Sequence, residues 1–113
     1  MKTSELTGPA LDWAVARCEH DDLAALNIQF PQYAKHYPKI SPSTDWAQGG
    51  PILGRERICL QIGHDGVWLA YEMQNYADEA RHMQSGPTPL IAAMRCYVAS
   101  KLGEDVSIPE ELK

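Results

Sequence analysis

Arg57-Ile58-Cys59-Leu60-Gln61-Ile62-Gly63-His64-Asp65-Gly66-Val67-Trp68-Leu69-Ala70-Tyr71-Glu72-Met73 is the stretch on which the fold turns. Ile58, Leu60 and Ile62 alternate with Cys59 and Gln61, a period of two that marks a strand. Gly63-His64-Asp65-Gly66 is a strong turn signal. Val67 to Met73 follows as a second arm. Residues 57–73 therefore read as an antiparallel hairpin. Upstream, Leu26, Ile28 and Phe30 alternate with Asn27 and Gln29 until Pro31 interrupts, so one or two further strands are expected from residues 24–40. Residues 74–84 allow two readings: a strand extension, or a short polar helix through Ala77-Asp78-Glu79-Ala80-Arg81.

Two segments flanking this middle read as helices. Near the C-terminus, Thr88 is a good N-cap and Pro89 suits the first helical position, where its missing N–H costs nothing. Ile91, Met94, Val98 and Leu102 recur on one helical face, Lys101 favours the negative end of the dipole, and Gly103 suits the C′ position. The first helix runs from Pro9 to about Glu19, with Thr7 as its cap, Asp12 in its first turn, and Leu11, Ala14, Val15 and Cys18 on its apolar face. Trp13 points elsewhere, toward a boundary or a second contact. The expected fold is α+β: a small antiparallel sheet, made of hairpin 57–73 plus strands from 24–40, packed against an N-terminal and a C-terminal helix. One domain, 1–113, carries an acidic tail, 103–113, which docks through Val106, Ile108 and Leu112 or else frays.

Composition narrows the class. A chain of 113 residues is about one domain's worth. Hydrophobic residues make up 44% and charged residues 22%, too apolar for a disordered chain. The uncharged run 83–94 is too short to span a membrane and contains Gly86, Pro87 and Pro89. A net charge of −5 argues against a generic DNA binder. That charge is uneven. The tail supplies −3 of it, whereas residues 31–57 hold Lys35, Lys39, Arg55 and Arg57 against Asp45 and Glu56. The centre of the chain is thus compatible with a small anionic ligand. Cys18, Cys59 and Cys96 are odd in number and far apart, form no Cys-x-x-Cys pair, and read as buried core thiols. The N-terminus lacks the apolar run of a signal peptide, and a cytoplasmic protein is expected.

The most distinctive stretch is Ser41-Pro42-Ser43-Thr44-Asp45-Trp46-Ala47-Gln48-Gly49-Gly50-Pro51, read as an ordered loop. As a ligand site, Ser43 and Thr44 offer hydroxyls, Asp45 a carboxylate, Trp46 a stacking face, and Gly49 and Gly50 closely approaching backbone N–H groups. Arg55 or Arg57 would pair with phosphate. The competing reading is a packed surface loop with local turn hydrogen bonds. No Gly-Lys-Ser/Thr follows, so this is not a phosphate-binding Walker loop. Tyr33, Tyr37, Trp46, Trp68 and Tyr71 beside these cations suit base stacking or a protein interface equally well. Glu79-x-x-His82 has the spacing of a carboxylate-bridged metal site but lacks the second motif such sites need. Glu19-His20-Asp21-Asp22 holds metal-type side chains that do not converge. No catalytic residue, metal site or cofactor is expected. No serine or cysteine shows a histidine partner, and His36 has no acidic one.

Two stretches carry a resemblance. The 41–52 segment and Gly86-Pro87-Thr88-Pro89-Leu90-Ile91-Ala92-Ala93-Met94-Arg95-Cys96-Tyr97 onward to Gly103 resemble the phage NinX family, a group of unknown function in tailed phages and prophages. Residues 2–8 and 10–16 are similar too. Residues 20–40 and 74–85 are the least family-like, and Leu53-Gly54-Arg55-Glu56 departs slightly from the Glu-rich pattern. The resemblance implies a phage accessory protein acting inside a bacterium, and by analogy one that counters host defence. Three functions compete. The first is a non-enzymatic binding protein that sequesters a small anionic, nucleotide-derived signal. The second is an inhibitor of a host defence or nucleic-acid-handling protein. The third is a small nucleotide hydrolase. A core this small, with three Trp and five Tyr to hide, also leads to the expectation of a homo-oligomer.

Overall fold

The hairpin forms where its alternation places it. In a computed structural model that describes residues 1–19, 41–73 and 79–112, β1 (Ile58–Ile62) pairs antiparallel with β2 (Trp68–Glu72), Leu60 lying opposite Ala70. The turn closes with Gly63 N–H donating to Val67 O at 2.8 Å and Val67 N–H to His64 O at 3.0 Å. Asp65 and Gly66 both take positive φ, 57° and 77°. That is the type I′ arrangement whose twist matches the strands, and Asp-Gly is a preferred pair for it.

A third strand, β3 (Arg81–Gly86), pairs antiparallel with β2 to give the order β1-β2-β3. Of the two readings for residues 74–84, the strand holds from 81 onward. The register slips between Ala70 and Glu72, and His82 there takes φ 54°. Both are the marks of a β-bulge. The strands expected from 24–40 lie outside the described residues, as do positions 77 and 78 of the alternative helix.

Three α-helices accompany this sheet among the described residues: α1 (Gly8–Glu19), α2 (Trp46–Glu56) and α3 (Pro89–Leu102). α3 lies against all three strands, and α1 and α2 pack on α3. The N-terminal helix therefore reaches the sheet mainly through the C-terminal one. The ends of α3 are as its caps dictate: Thr88 Oγ1 accepts the Ile91 N–H at 3.1 Å, and Gly103 N–H donates to Ala99 O at 3.0 Å. Its burial is wider than one stripe. Met94 and Val98 are buried as expected, but so are Leu90, Ala93, Cys96 and Tyr97, while Ile91 and Leu102 are only half-buried. α3 is the central element, enclosed on several sides, and each large apolar side chain it buries contributes about 1.5–3 kcal/mol.

The reading of 41–51 as a loop is corrected. Only residues 41–45 form a turn, and helix begins at Trp46 and runs through Gly49, Gly50 and Pro51. Asp45 sets the start, its side chain accepting the Ala47 N–H at 2.9 Å. Pro51 lies inside the helix, where it has no N–H to give the carbonyl one turn back; Gly50 before it removes only the Cβ part of the clash a proline ring makes with a preceding α-helical residue.

The termini meet. Met1 and Val106 exchange backbone hydrogen bonds of 3.0 and 2.9 Å, and Thr3 Oγ1 donates to Gly103 O at 2.6 Å. Val106 and Ile108 are buried, so the tail docks. Of the two readings for Trp13, the second contact holds: it is buried, with the Arg17 guanidinium 5.7 Å from its ring centre.

Candidate functional site

The turn before α2 is tied down from three directions. Ser41 O accepts the Thr44 and Asp45 N–H groups at 3.1 and 2.9 Å. Gln48 reaches back, its Oε1 accepting the Ser41 N–H at 2.8 Å and its Nε2 donating to Asp45 Oδ2 at 3.1 Å. Asp12 of α1 holds the centre, its Oδ1 accepting the Ser43 N–H at 2.8 Å in a buried bond. This explains a carboxylate on a buried helix face. Ser43 is 1% exposed, yet its hydroxyl has no hydrogen-bond partner among the described residues. Trp46, three positions on, is 50% exposed.

Beside this turn lies a cleft of about 220 Å³. Ser43, Thr44 and Trp46 line one wall, and residues 88–91, the start of α3, line the other. Gly49 brings the walls together: a Cβ there would fall 2.4 Å from Pro42 O and 2.6 Å from Leu90 Cδ1. The Gly49 N–H donates to Asp45 O at 2.9 Å, so its place is in packing and the helix ladder. Gly50 is half-buried in the same helix, one turn from the Trp46 ring. The structure thus joins Ser43, Thr44 and Trp46 with four residues that local sequence reasoning treated only as a helix start. The Thr88-Pro89 cap announced a helix N-terminus but not what would face it. No charged side chain lines the cleft among the described residues.

Arg55 and Arg57 sit at the other end of α2, roughly 13–16 Å from Trp46 at 1.5 Å per residue. Arg55 donates to both Glu19 carboxylate oxygens, at 3.0 and 2.5 Å, and to Glu56 at 2.7 Å. Tyr97 OH donates to Glu19, and Lys101 lies 3.3 Å from Glu56. These bonds, to Glu19 first, push Arg55 above its ordinary pKa, while Arg55 holds Glu56 below the usual carboxylate range. Burial, then Glu19, pushes the Tyr97 phenol up. The network clamps the ends of α1 and α2 onto α3. Arg57 is the C-cap of α2, in left-handed conformation at φ 56°. Lys35, Lys39, Tyr33, His36 and Tyr37 lie outside the described residues. Trp68 and Tyr71 fall on opposite faces of β2, Tyr71 OH reaching Gln61 Oε1 at 3.5 Å.

The remaining motifs are scattered. Glu79 precedes β3 and His82 lies within it, where Nδ1 is 3.5 Å from Glu72, so Glu79-x-x-His82 is not on a helix. Among the described residues no three His, Cys, Asp or Glu side chains are grouped to hold a metal ion. Cys96 is buried, whereas Cys18 and Cys59 are only half-buried, and none of the three is in a disulfide. No described helix is long and apolar enough to cross a membrane.

A family model described as Bacteriophage P22, NinX, matches residues 2–101, and the chain belongs to that family. No curated protein matches it.

Proposed function

We propose that this member of the NinX family is a non-enzymatic binding protein that captures a small, nucleotide-derived molecule in the cytoplasm of the infected bacterium and so counters a host defence. The observation that carries the reading is the cleft between the start of α2 and the start of α3, with the half-exposed Trp46 on its wall and Ser43, Thr44 and Thr88 among the residues lining it. An aromatic wall next to hydroxyl groups suits a heterocyclic base, because every base offers a π-face and polar edges. The N-terminus of α3 adds the positive end of a helix dipole for a negative group. Arg55 and Arg57 are too far away, and Arg55 too heavily engaged, to serve as the phosphate partner there.

Isothermal titration with linear and cyclic nucleotides tests this. Binding should quench Trp46 fluorescence, and Trp46→Ala should weaken it by at least tenfold while leaving the fold intact. No heat and no thermal shift with any of them would remove the reading. Exposed Ile62 (72%) and Met83 (52%) on the sheet favour a second reading, an inhibitor of a host protein. It predicts a stoichiometric bacterial partner that is lost in an Ile62→Asp, Met83→Asp variant.

A further inference from the structure

We infer that two copies of this chain associate through the face of the sheet turned away from α3, as a weak symmetric dimer. The strand register defines that face. A Cβ added at Gly86 would fall 2.7 Å from Ala92 N, so the side-chain direction at Gly86 is toward α3. Trp68, opposite Gly86, packs on the core, as do Ala70 and Leu60, which lie opposite one another. Cross-strand partners share a face, and neighbours along a strand alternate. The pairs Cys59–Tyr71, Gln61–Leu69 and Leu69–Ser85 therefore point the other way, and Met83, two residues before Ser85, points with them. The helices α1 and α2 pack on α3, on the covered side.

This outer face is open. Gln61 on one edge strand and Met83 and Ser85 on the other are exposed, Met83 at 52%, and Cys59, Leu69 and Tyr71 are half-buried. It is also uncharged: none of the six is Asp, Glu, Lys, Arg or His, in a chain where 22% of residues are charged.

Charge and shape select the occupant. A chain of net charge −5 repels its own copies where charged surfaces meet. On this face two copies can meet without setting like charges against each other. A two-fold axis lays the patch on itself, so Leu69, Tyr71 and Met83 pack against their equivalents, while Gln61 and Ser85 supply polar groups at the rim. Monomeric proteins rarely expose a large apolar patch to match it, whereas a second copy always presents the same face. Size sets the strength. Three strands at ~4.8 Å spacing and five residues at ~3.3 Å make a face of roughly 14 by 16 Å. That is a fraction of the ~800 Å² per partner usual for a stable interface, so the dimer is weak and reversible. Each cleft is walled by α2 and α3, behind the sheet, so both stay open in the dimer and ligand binding is independent of association.

The test is sedimentation equilibrium on the full chain, from micromolar to millimolar, at low and high salt. The mass should climb from 12.6 kDa toward twice that value, with a dissociation constant of tens to hundreds of micromolar. Salt should tighten association severalfold, because it screens the repulsion between the two copies and breaks no ion pair. Gln61→Glu combined with Met83→Glu puts a charge on each edge strand of the face and should weaken association at least tenfold. Both side chains are exposed, so the fold should survive, and circular dichroism with the melting temperature in dilute solution verifies that. Ile62→Glu is the control. Ile62 is 72% exposed but lies on the α3 side by alternation, so association should stay within about twofold. A monomer at every concentration would overturn the inference, as would a dimer that salt dissociates or that survives the double variant. Equal loss in Ile62→Glu would overturn the choice of face. A chain that stays monomeric but holds a bacterial protein one-to-one through Met83 would give the face to that protein instead.

Discussion

Three glycines on α2 make a sharp test of how the cleft is built. In a helix interior, Gly→Ala normally stabilises by roughly 0.5–1 kcal/mol through reduced backbone entropy. Gly54 meets nothing within 4 Å when a Cβ is added, so Gly54→Ala should show that full gain. Gly49 is the opposite case, because its Cβ would stand 2.4 Å from a backbone oxygen, Pro42 O, and 2.6 Å from Leu90 Cδ1. Leu90 can change rotamer, but Pro42 O belongs to the turn pinned by Asp12 and Gln48, and Leu90 is itself 3% exposed with little room to move. Overpacking of this kind costs about 1–3 kcal/mol. Set against the helix gain, Gly49→Ala should be destabilised by up to about 2.5 kcal/mol, and the two variants should differ by the overpacking cost itself, about 1–3 kcal/mol. Gly50→Ala should fall between them: its Cβ makes only an ordinary 3.8 Å contact with the Trp46 ring, but it creates a pre-proline clash inside a helix. Urea unfolding followed by far-ultraviolet circular dichroism, with m-values held equal, reads the differences directly. Gly49→Ala as stable as Gly54→Ala would refute the α2–α3 contact, and with it the shape of the cleft.

Other expectations follow from single bonds. Asp12→Ala leaves the buried Ser43 N–H unpaired and should cost about 1–3 kcal/mol, whereas Asp12→Asn keeps an acceptor and should cost less; urea midpoints compare them. Arg55→Ala should cost under about 1 kcal/mol despite its many contacts, because its side chain is 51% exposed and solvent screens the pairs, and raising salt should erase most of that difference. Burial, chiefly, pushes the Cys96 thiol up to about 12, while in the unfolded chain it titrates near 8.5. A raised folded value means the stabilisation is complete below the unfolded pKa and is lost as pH rises toward the folded one. The urea midpoint should therefore fall between pH 8.5 and pH 11, with a shallower fall in Cys96→Ala. Equal slopes would show that Cys96 is not the group responsible.

The parts of this fold that were legible in the sequence are those whose cause is local. Alternation from Ile58 to Ile62 and the Asp65-Gly66 pair specify a hairpin within a few residues, and Thr88 with Pro89 starts α3 by chemistry confined to one turn. β3 has no such signature. Arg81, His82, Met83 and Ser85 are all exposed and show no alternation, so that strand is selected by the open edge of β2, a partner ten residues away in the chain. α2 was hidden for the converse reason, since local propensity argues against it. Gly49, Gly50 and Pro51 together oppose helix by roughly 5 kcal/mol. Capping by Asp45 and packing of Gly49 against Leu90 oppose that penalty.

Taking α2 for a loop has a consequence for the candidate site. A loop keeps sequence neighbours in reach of one another, and on that premise Ser43, Trp46, Arg55 and Arg57 form one cluster with a favourable local charge. A helix carries successive residues apart at 1.5 Å each. Ser43, Thr44 and Trp46 stay together because they straddle its first turn, and Arg55 and Arg57 are delivered to its far end, where Glu19 and Glu56 take up Arg55. The positive balance counted over residues 31–57 is therefore not a property of the cleft. Its described walls come from the turn before α2 and the start of α3, and α3 lies more than thirty residues further along the chain, beyond the reach of any local count of charges.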